Sequence, residues 1–127
     1  MEKLKLLLID DEVELVTTLV ERLEIRGIEA QAATNGRDAL DLVRKEHFDV
    51  VVADLKMPIM SGIEVMDSLQ REYPSIKVVL ITGHGSSDEP GQSIVDRADG
   101  LLLKPFSIDS LIEKVHEVLA SGDMHNE

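Results

Sequence analysis

The sequence contains no cysteine and no tryptophan, and its aromatic residues are limited to Phe48, Tyr73 and Phe106. The lack of cysteine excludes disulfides, thiol nucleophiles and thiolate zinc sites. With so few rings, the core has to be aliphatic. Cations are short as well. Lys and Arg number 13 against 25 Asp and Glu, a formal net charge of −12, which argues against direct binding of nucleic acid or an anionic membrane by this chain. The same imbalance favours a site that wants a cation. Long hydrophobic runs are missing too. The run Leu6-Leu7-Leu8-Ile9 near the amino terminus stops at an acid cluster, too short for a signal peptide or a membrane span. A cytoplasmic domain with no membrane partner is therefore expected.

At 127 residues with 43% hydrophobic content, the chain is long enough to bury the core of one domain. Apolar runs alternate with helix-period segments. The runs are KLLLID (5–10), EAQAA (29–33), DVVVAD (49–54), KVVLIT (77–82) and GLLLK (100–104). All but EAQAA are continuously apolar, as expected of strands covered on both faces. Between them, Val13, Val16, Val20 and Leu23 step by three and four behind an acid cap at Asp11. Ala39, Leu40 and Val43 share a face. Ser61 and Glu64 form a capping box before Val65, Met66 and Leu69. The last helix starts at a Ser107 cap and presents Ile108, Leu111, Ile112, Val115 and Leu119. The fourth helix is weak, because Pro90 and Gly91 confine it to about two turns.

Five βα units in strict alternation predict a doubly wound α/β fold, a five-stranded parallel sheet in the order 2-1-3-4-5 of flavodoxin-like proteins, with five helices, the fourth short or irregular. The domain is expected over 1–121, with 122–127 a flexible tail or the cut end of a longer chain. Ligands of such sheets bind outside the carboxyl ends of the strands, at the switch point between β1 and β3. Asp10 and Asp11 end the first strand and Asp54 the third, so these three carboxylates should converge. Ionised together they cost each other roughly 1–4 kcal/mol per pair, tolerable if some protonate or if a cation sits among them. An all-oxygen site with a hydrated edge suits Mg²⁺. Thr82 and Lys104, ending the fourth and fifth strands, add a hydroxyl and an ammonium. Nucleophilic carboxylate, cation, hydroxyl and ammonium around one pocket can handle a phosphoryl group.

Four motifs in order, LLLIDDE, VVADLKMPIMSG, VVLITGHG and LLLKPF, resemble those of response-regulator receiver domains, the phosphoacceptor modules of two-component signalling. The resemblance covers roughly residues 4–120. It implies that Asp54 accepts a phosphoryl group from the phosphohistidine of a sensor histidine kinase or phosphotransfer protein. Metal ligation would fall to Asp10 (through a water), Asp11, Asp54 and the backbone carbonyl of Lys56. Thr82 and Lys104 would contact the phosphoryl oxygens, and the Lys104–Pro105 peptide would be cis. Pro58 and Gly62 match the turn after the acceptor. Such a chain is not an enzyme in its own right; it assists its own phosphorylation and dephosphorylation. It would switch the β4-α4/β5-α5 face for a downstream effector protein or domain, as a monomer or weak homodimer.

Leu101 departs from the family, which usually carries Tyr or Phe three residues before the lysine of the fifth strand. Output is therefore expected to rest on order and disorder of the 83–93 loop and not on an aromatic rotamer. Lys56 and His84, each two residues beyond a site residue, either tune hydrolysis or point to solvent, while His47, His116 and His125 have no ligand spacing. A phosphatase of the haloacid-dehalogenase type would need a second Asp where Lys56 stands. Nucleotide binding at TGHGSSD fails because Asp88 occupies the third glycine position and would repel pyrophosphate. The remaining alternative is a degenerate receiver acting as a phosphorylation-independent interaction module. Retention of Asp10, Asp11, Asp54, Thr82 and Lys104 argues against it.

Overall fold

The apolar segments Leu6–Ile9, Val50–Ala53 and Val78–Ile81 leave no residue to face water, so each needs cover on both sides. The fold supplies it. The computed structural model describes residues 3–83 and 92–124. Along the chain run β1 (Lys5–Ile9), α1 (Val13–Ile25), β2 (Glu29–Ala33), α2 (Gly36–Lys45), β3 (Val50–Asp54), α3 (Gly62–Glu72), β4 (Lys77–Gly83), α4 (Gln92–Arg97), β5 (Gly100–Lys104) and α5 (Ile108–Met124). The strands form one sheet in the order β2-β1-β3-β4-β5, every neighbouring pair parallel. This is the expected doubly wound topology.

Two aliphatic layers sandwich the sheet. On one face Leu7, Ile9, Val51, Ala53, Val78 and Leu80 pack with Ala39 and Val43 of α2 and Val65, Met66 and Leu69 of α3. On the other, Leu6, Leu8, Val50, Val52, Val79 and Ile81 pack with Val16, Leu19 and Leu23 of α1 and Leu111, Val115 and Val118 of α5. Successive strand residues thus serve opposite layers, as the pleat requires. Leu101, at the position expected to carry a ring in relatives, is half-buried against the α2–α3 layer.

Three features of the helices bear on expectation, the first of them in agreement with it. Four helices run ten residues or more; between β4 and β5 the described residues contain only the six-residue α4. The carboxyl end of α4 is tied to α3 by Arg97, which donates to Asp67 and whose carbonyl accepts from Gln70 Nε2 at 2.6 Å. Secondly, α1 is capped at Glu12 and not Asp11, with no side-chain cap bond, and Val13 is exposed while Leu19 is buried. The acids here are drawn into tertiary contacts instead of capping. Thirdly, α5 runs on to Met124, whereas the apolar stripe that marks it in the sequence ends at Leu119. The Ser61–Glu64 capping box and the Ser107 cap both form.

The loop after β3 positions the site. Gly62 begins α3 directly beneath the end of β3, and a Cβ there would lie 2.3 Å from the Asp54 carbonyl oxygen and 3.0 Å from Leu55 Cα. Both are backbone atoms that cannot yield. Earlier in the same loop Ile59 adopts φ 71°, a left-handed conformation that strains a β-branched residue, and its side chain is fully exposed. Gly62→Ala is expected to destabilise the fold by about 1–3 kcal/mol. Ile59→Asn is expected to stabilise it by about 1 kcal/mol. Urea denaturation of the two variants beside the parent chain measures both.

Candidate phosphoryl and metal site

The parallel register brings the carboxyl ends of β1, β3 and β5 to one rim. β1 ends at Ile9, so Asp10 is the first residue beyond it. Its Oδ1 accepts the Glu12 N–H at 3.0 Å, which turns the chain sharply into α1. Asp54 is the last residue of β3, and its Oδ1 accepts the Lys56 N–H at 3.2 Å. Carboxylate oxygens of Asp10, Asp11 and Asp54 all lie within 4.8 Å of one another. Asp10 and Asp54 are buried, whereas Asp11 is exposed, so the cluster has two dry walls and one wet edge.

Lys104 closes the rim from β5. Its Nζ stands 3.0 Å from Glu12 Oε1, 3.1 Å from Asp10 Oδ2 and 3.4 Å from Asp54 Oδ2. The Lys104–Pro105 peptide that follows is cis, as expected. Glu12 and Lys104 border a groove whose other walls are Leu15, Leu19, Pro105 and Phe106. Thr82 is buried at the end of β4, one residue past Ile81, the partner of Asp54 in the ladder. His84 and most of the 83–93 loop lie outside the described residues.

Two titrations within the site are displaced. Burial, followed by the charge of Asp10, pushes the Asp54 carboxyl above its ordinary value, and Lys104 and the Lys56 N–H pull it back only partly. For Lys104, burial pulls downward, but the bond to Glu12, the contact with Asp10 and the charge of Asp54 outweigh it, so the ammonium is held above the usual lysine range.

The donor set fits a hard divalent cation. All the candidate ligands are oxygens, as Mg²⁺ prefers. Asp10 Oδ2 is buried without a hydrogen bond; the nearby Lys104 ammonium meets it as an ion pair and leaves its lone pairs unsatisfied in geometry. A buried carboxylate oxygen in that condition is costly unless a cation supplies what is missing.

The arrangement has a counterpart among known proteins. The model of the response regulator receiver domain family matches residues 6–116. The chain belongs to that family. The acid triad Asp10, Asp11 and Asp54 is that of a receiver-domain phosphoacceptor site. Sporulation initiation phosphotransferase F of Bacillus subtilis is 34% identical over 115 residues, 91% of this chain and 93% of that protein. The transcriptional regulatory protein ZraR of Klebsiella oxytoca is 34% identical over 119 residues, 94% of this chain but 27% of ZraR. The chain thus spans well under two thirds of some relatives. Among solved structures, a CheY-like receiver domain from Methanospirillum hungatei superposes with a TM-score of 0.86 at 25% identity, over 98% of this chain and 99% of that one. TrrA of Thermotoga maritima, solved in complex with Mg²⁺-BeF, gives 0.80 at 31% identity, over 91% and 98%. Among the described residues no helix is long and apolar enough to cross a membrane.

Glu12 is the residue that sequence reasoning underrated. In sequence it is one more acid after Asp10 and Asp11, yet its side chain turns away from those aspartates to Lys104. No local signal marks a contact across 92 positions.

Because the receiver carboxyl of Asp54 is raised, the folded chain binds protons there more tightly than the unfolded chain. Ionised Asp54 therefore costs stability in full above its raised folded-state value, and the cost fades as pH falls from there toward the ordinary 3.8, below which it is gone. Asp54→Asn is expected to raise the melting temperature of the metal-free protein at neutral pH. The advantage should shrink toward acid pH, as read by calorimetry across a pH series.

Proposed function

We propose that this receiver takes a phosphoryl group onto Asp54 from the phosphohistidine of a sensor histidine kinase or phosphotransfer protein, and passes the resulting change to a downstream effector protein or domain. The observation that carries the reading is the convergence of Asp10, Asp11 and Asp54 within 4.8 Å beneath the Lys104 ammonium. The roles follow from position. Deprotonated Asp54 is the nucleophile: its carboxylate oxygen forms the bond to phosphorus as the P–N bond to imidazole breaks, the electron pair leaving with nitrogen. Lys104, already shared among carboxylates, meets the negative charge on the transferring oxygens. Thr82 supplies a hydroxyl hydrogen bond to a phosphoryl oxygen.

Mg²⁺ would be held by Asp11, Asp54 and the backbone carbonyl of Lys56, with Asp10 acting through water, and it would supply charge neutralisation that lets one anion approach another. The resemblance to a chain solved with Mg²⁺-BeF supports that choice of cation. The receiver unit is taken as residues 1–121, working in the cytoplasm as a monomer or weak homodimer. Direct binding to nucleic acid or membrane is not proposed for a domain of net charge −12.

Incubation with Mg²⁺ and acetyl phosphate, followed by intact mass, is expected to show a gain of one phosphoryl group. Asp54→Ala and chelation of the metal should each abolish it. An adduct on the alanine variant would place the acceptor elsewhere. No adduct on the parent chain, with a beryllofluoride mimic also failing to bind, would favour a phosphorylation-independent interaction module.

A further inference from the structure

Lys104 has three anionic neighbours, and they are not equivalent. Asp10 and Asp54 belong to the buried cluster that fits a cation. Glu12 does not, although at 3.0 Å it is the nearest and it donates no oxygen to that cluster. Its backbone is pinned by the N–H bond to Asp10 Oδ1, and as the cap residue of α1 it leaves the helix with its side chain unused for capping. That carboxylate side chain is 63% exposed while the Lys104 side chain is 26% exposed. The pair therefore sits at the mouth of the site, beside the apolar groove of Leu15, Leu19, Pro105 and Phe106.

Once a cation takes up the charge of Asp10 and Asp54, Glu12 is the neighbour still able to hold the ammonium. A phosphoryl group arriving on Asp54 needs the same ammonium. We propose that Glu12 is a positioning residue that competes with the phosphoryl oxygens for Lys104, and so sets how readily the site accepts and retains a phosphoryl group. This rests on the phosphoacceptor reading of Asp54. It requires no new chemistry: one ion pair is exchanged for another, and no bond other than the acyl phosphate forms.

The test is titration of the full chain with beryllofluoride at saturating Mg²⁺, followed calorimetrically. Glu12→Gln is expected to tighten binding by about three- to fivefold, the range of a solvent-screened ion pair. Simple loss of a negative charge near an anion site would do the same, so two further arms separate the cases. Glu12→Asp keeps the charge but draws the carboxylate back by one methylene; it should behave like Glu12→Gln if the contact matters, and like the parent if only the field does. In a Lys104→Met background the gain from Glu12→Gln should vanish. Persistence of the gain there, a parent-like Glu12→Asp, or no gain from Glu12→Gln overturns the proposal. Should Lys104→Met abolish binding altogether, the Glu12→Asp arm decides. A parent chain that takes neither phosphoryl group nor beryllofluoride would instead remove the phosphoacceptor reading, and this inference with it.

Discussion

Mutual repulsion among Asp10, Asp11 and Asp54, offset by one ammonium, is the constraint around which the carboxyl edge of the sheet is organised. Two of these carboxylates are buried and the third is wet. Lys104 is spread over Asp10, Asp54 and Glu12 and fully neutralises none of them. Desolvation and like charge leave Asp54 reluctant to ionise, which is an unfavourable state for a carboxylate in a resting fold. The same features make the pocket receptive to a divalent cation, and through it to a phosphoryl group. The site is destabilised at rest in the direction that its ligand relieves.

The rest of the structure makes that arrangement affordable. The sheet is covered on both faces by aliphatic side chains from α1 and α5 on one side and α2 and α3 on the other. The strands are thereby fixed in register to within a residue, since a slip would exchange the two layers. Register decides that Asp10 and Asp54 finish side by side on paired strands, and that Lys104 finishes at the same rim two strands from β3. Below the rim, Gly62 admits the close approach of α3 to the Asp54 backbone, so the acceptor strand ends in a tight turn and not in an open loop.

Away from the site, the side formed by α3, α4 and β5 is held differently. The fourth helix is short, and its carboxyl end is clamped to α3 through Arg97, Asp67 and Gln70. Leu101 packs on the α2–α3 layer where relatives are expected to place a ring. An aliphatic side chain there fills core volume but offers no hydroxyl and no flat ring to swing between two environments. This side is thus built from packing and polar contacts local to α3, α4 and β5.

The sequence by itself determined the fold class, the strand order and the identity of the acid cluster. Continuous apolar runs mean doubly covered strands, strict alternation means parallel crossovers, and parallel sheets bind ligands at the switch point. Ser61, Glu64 and Ser107 were legible because helix caps act over three or four residues. The tertiary structure decided what lies beyond that range. It moved the α1 cap from Asp11 to Glu12, exposed Val13, buried Leu19 and sent Glu12 to Lys104. Helical periodicity specifies an apolar stripe only to within about one residue, because each residue advances the helix by 100°. The reach of an exposed carboxylate depends on which charges folding brings within a few ångströms of it, and for Glu12 that partner is 92 residues away in the chain.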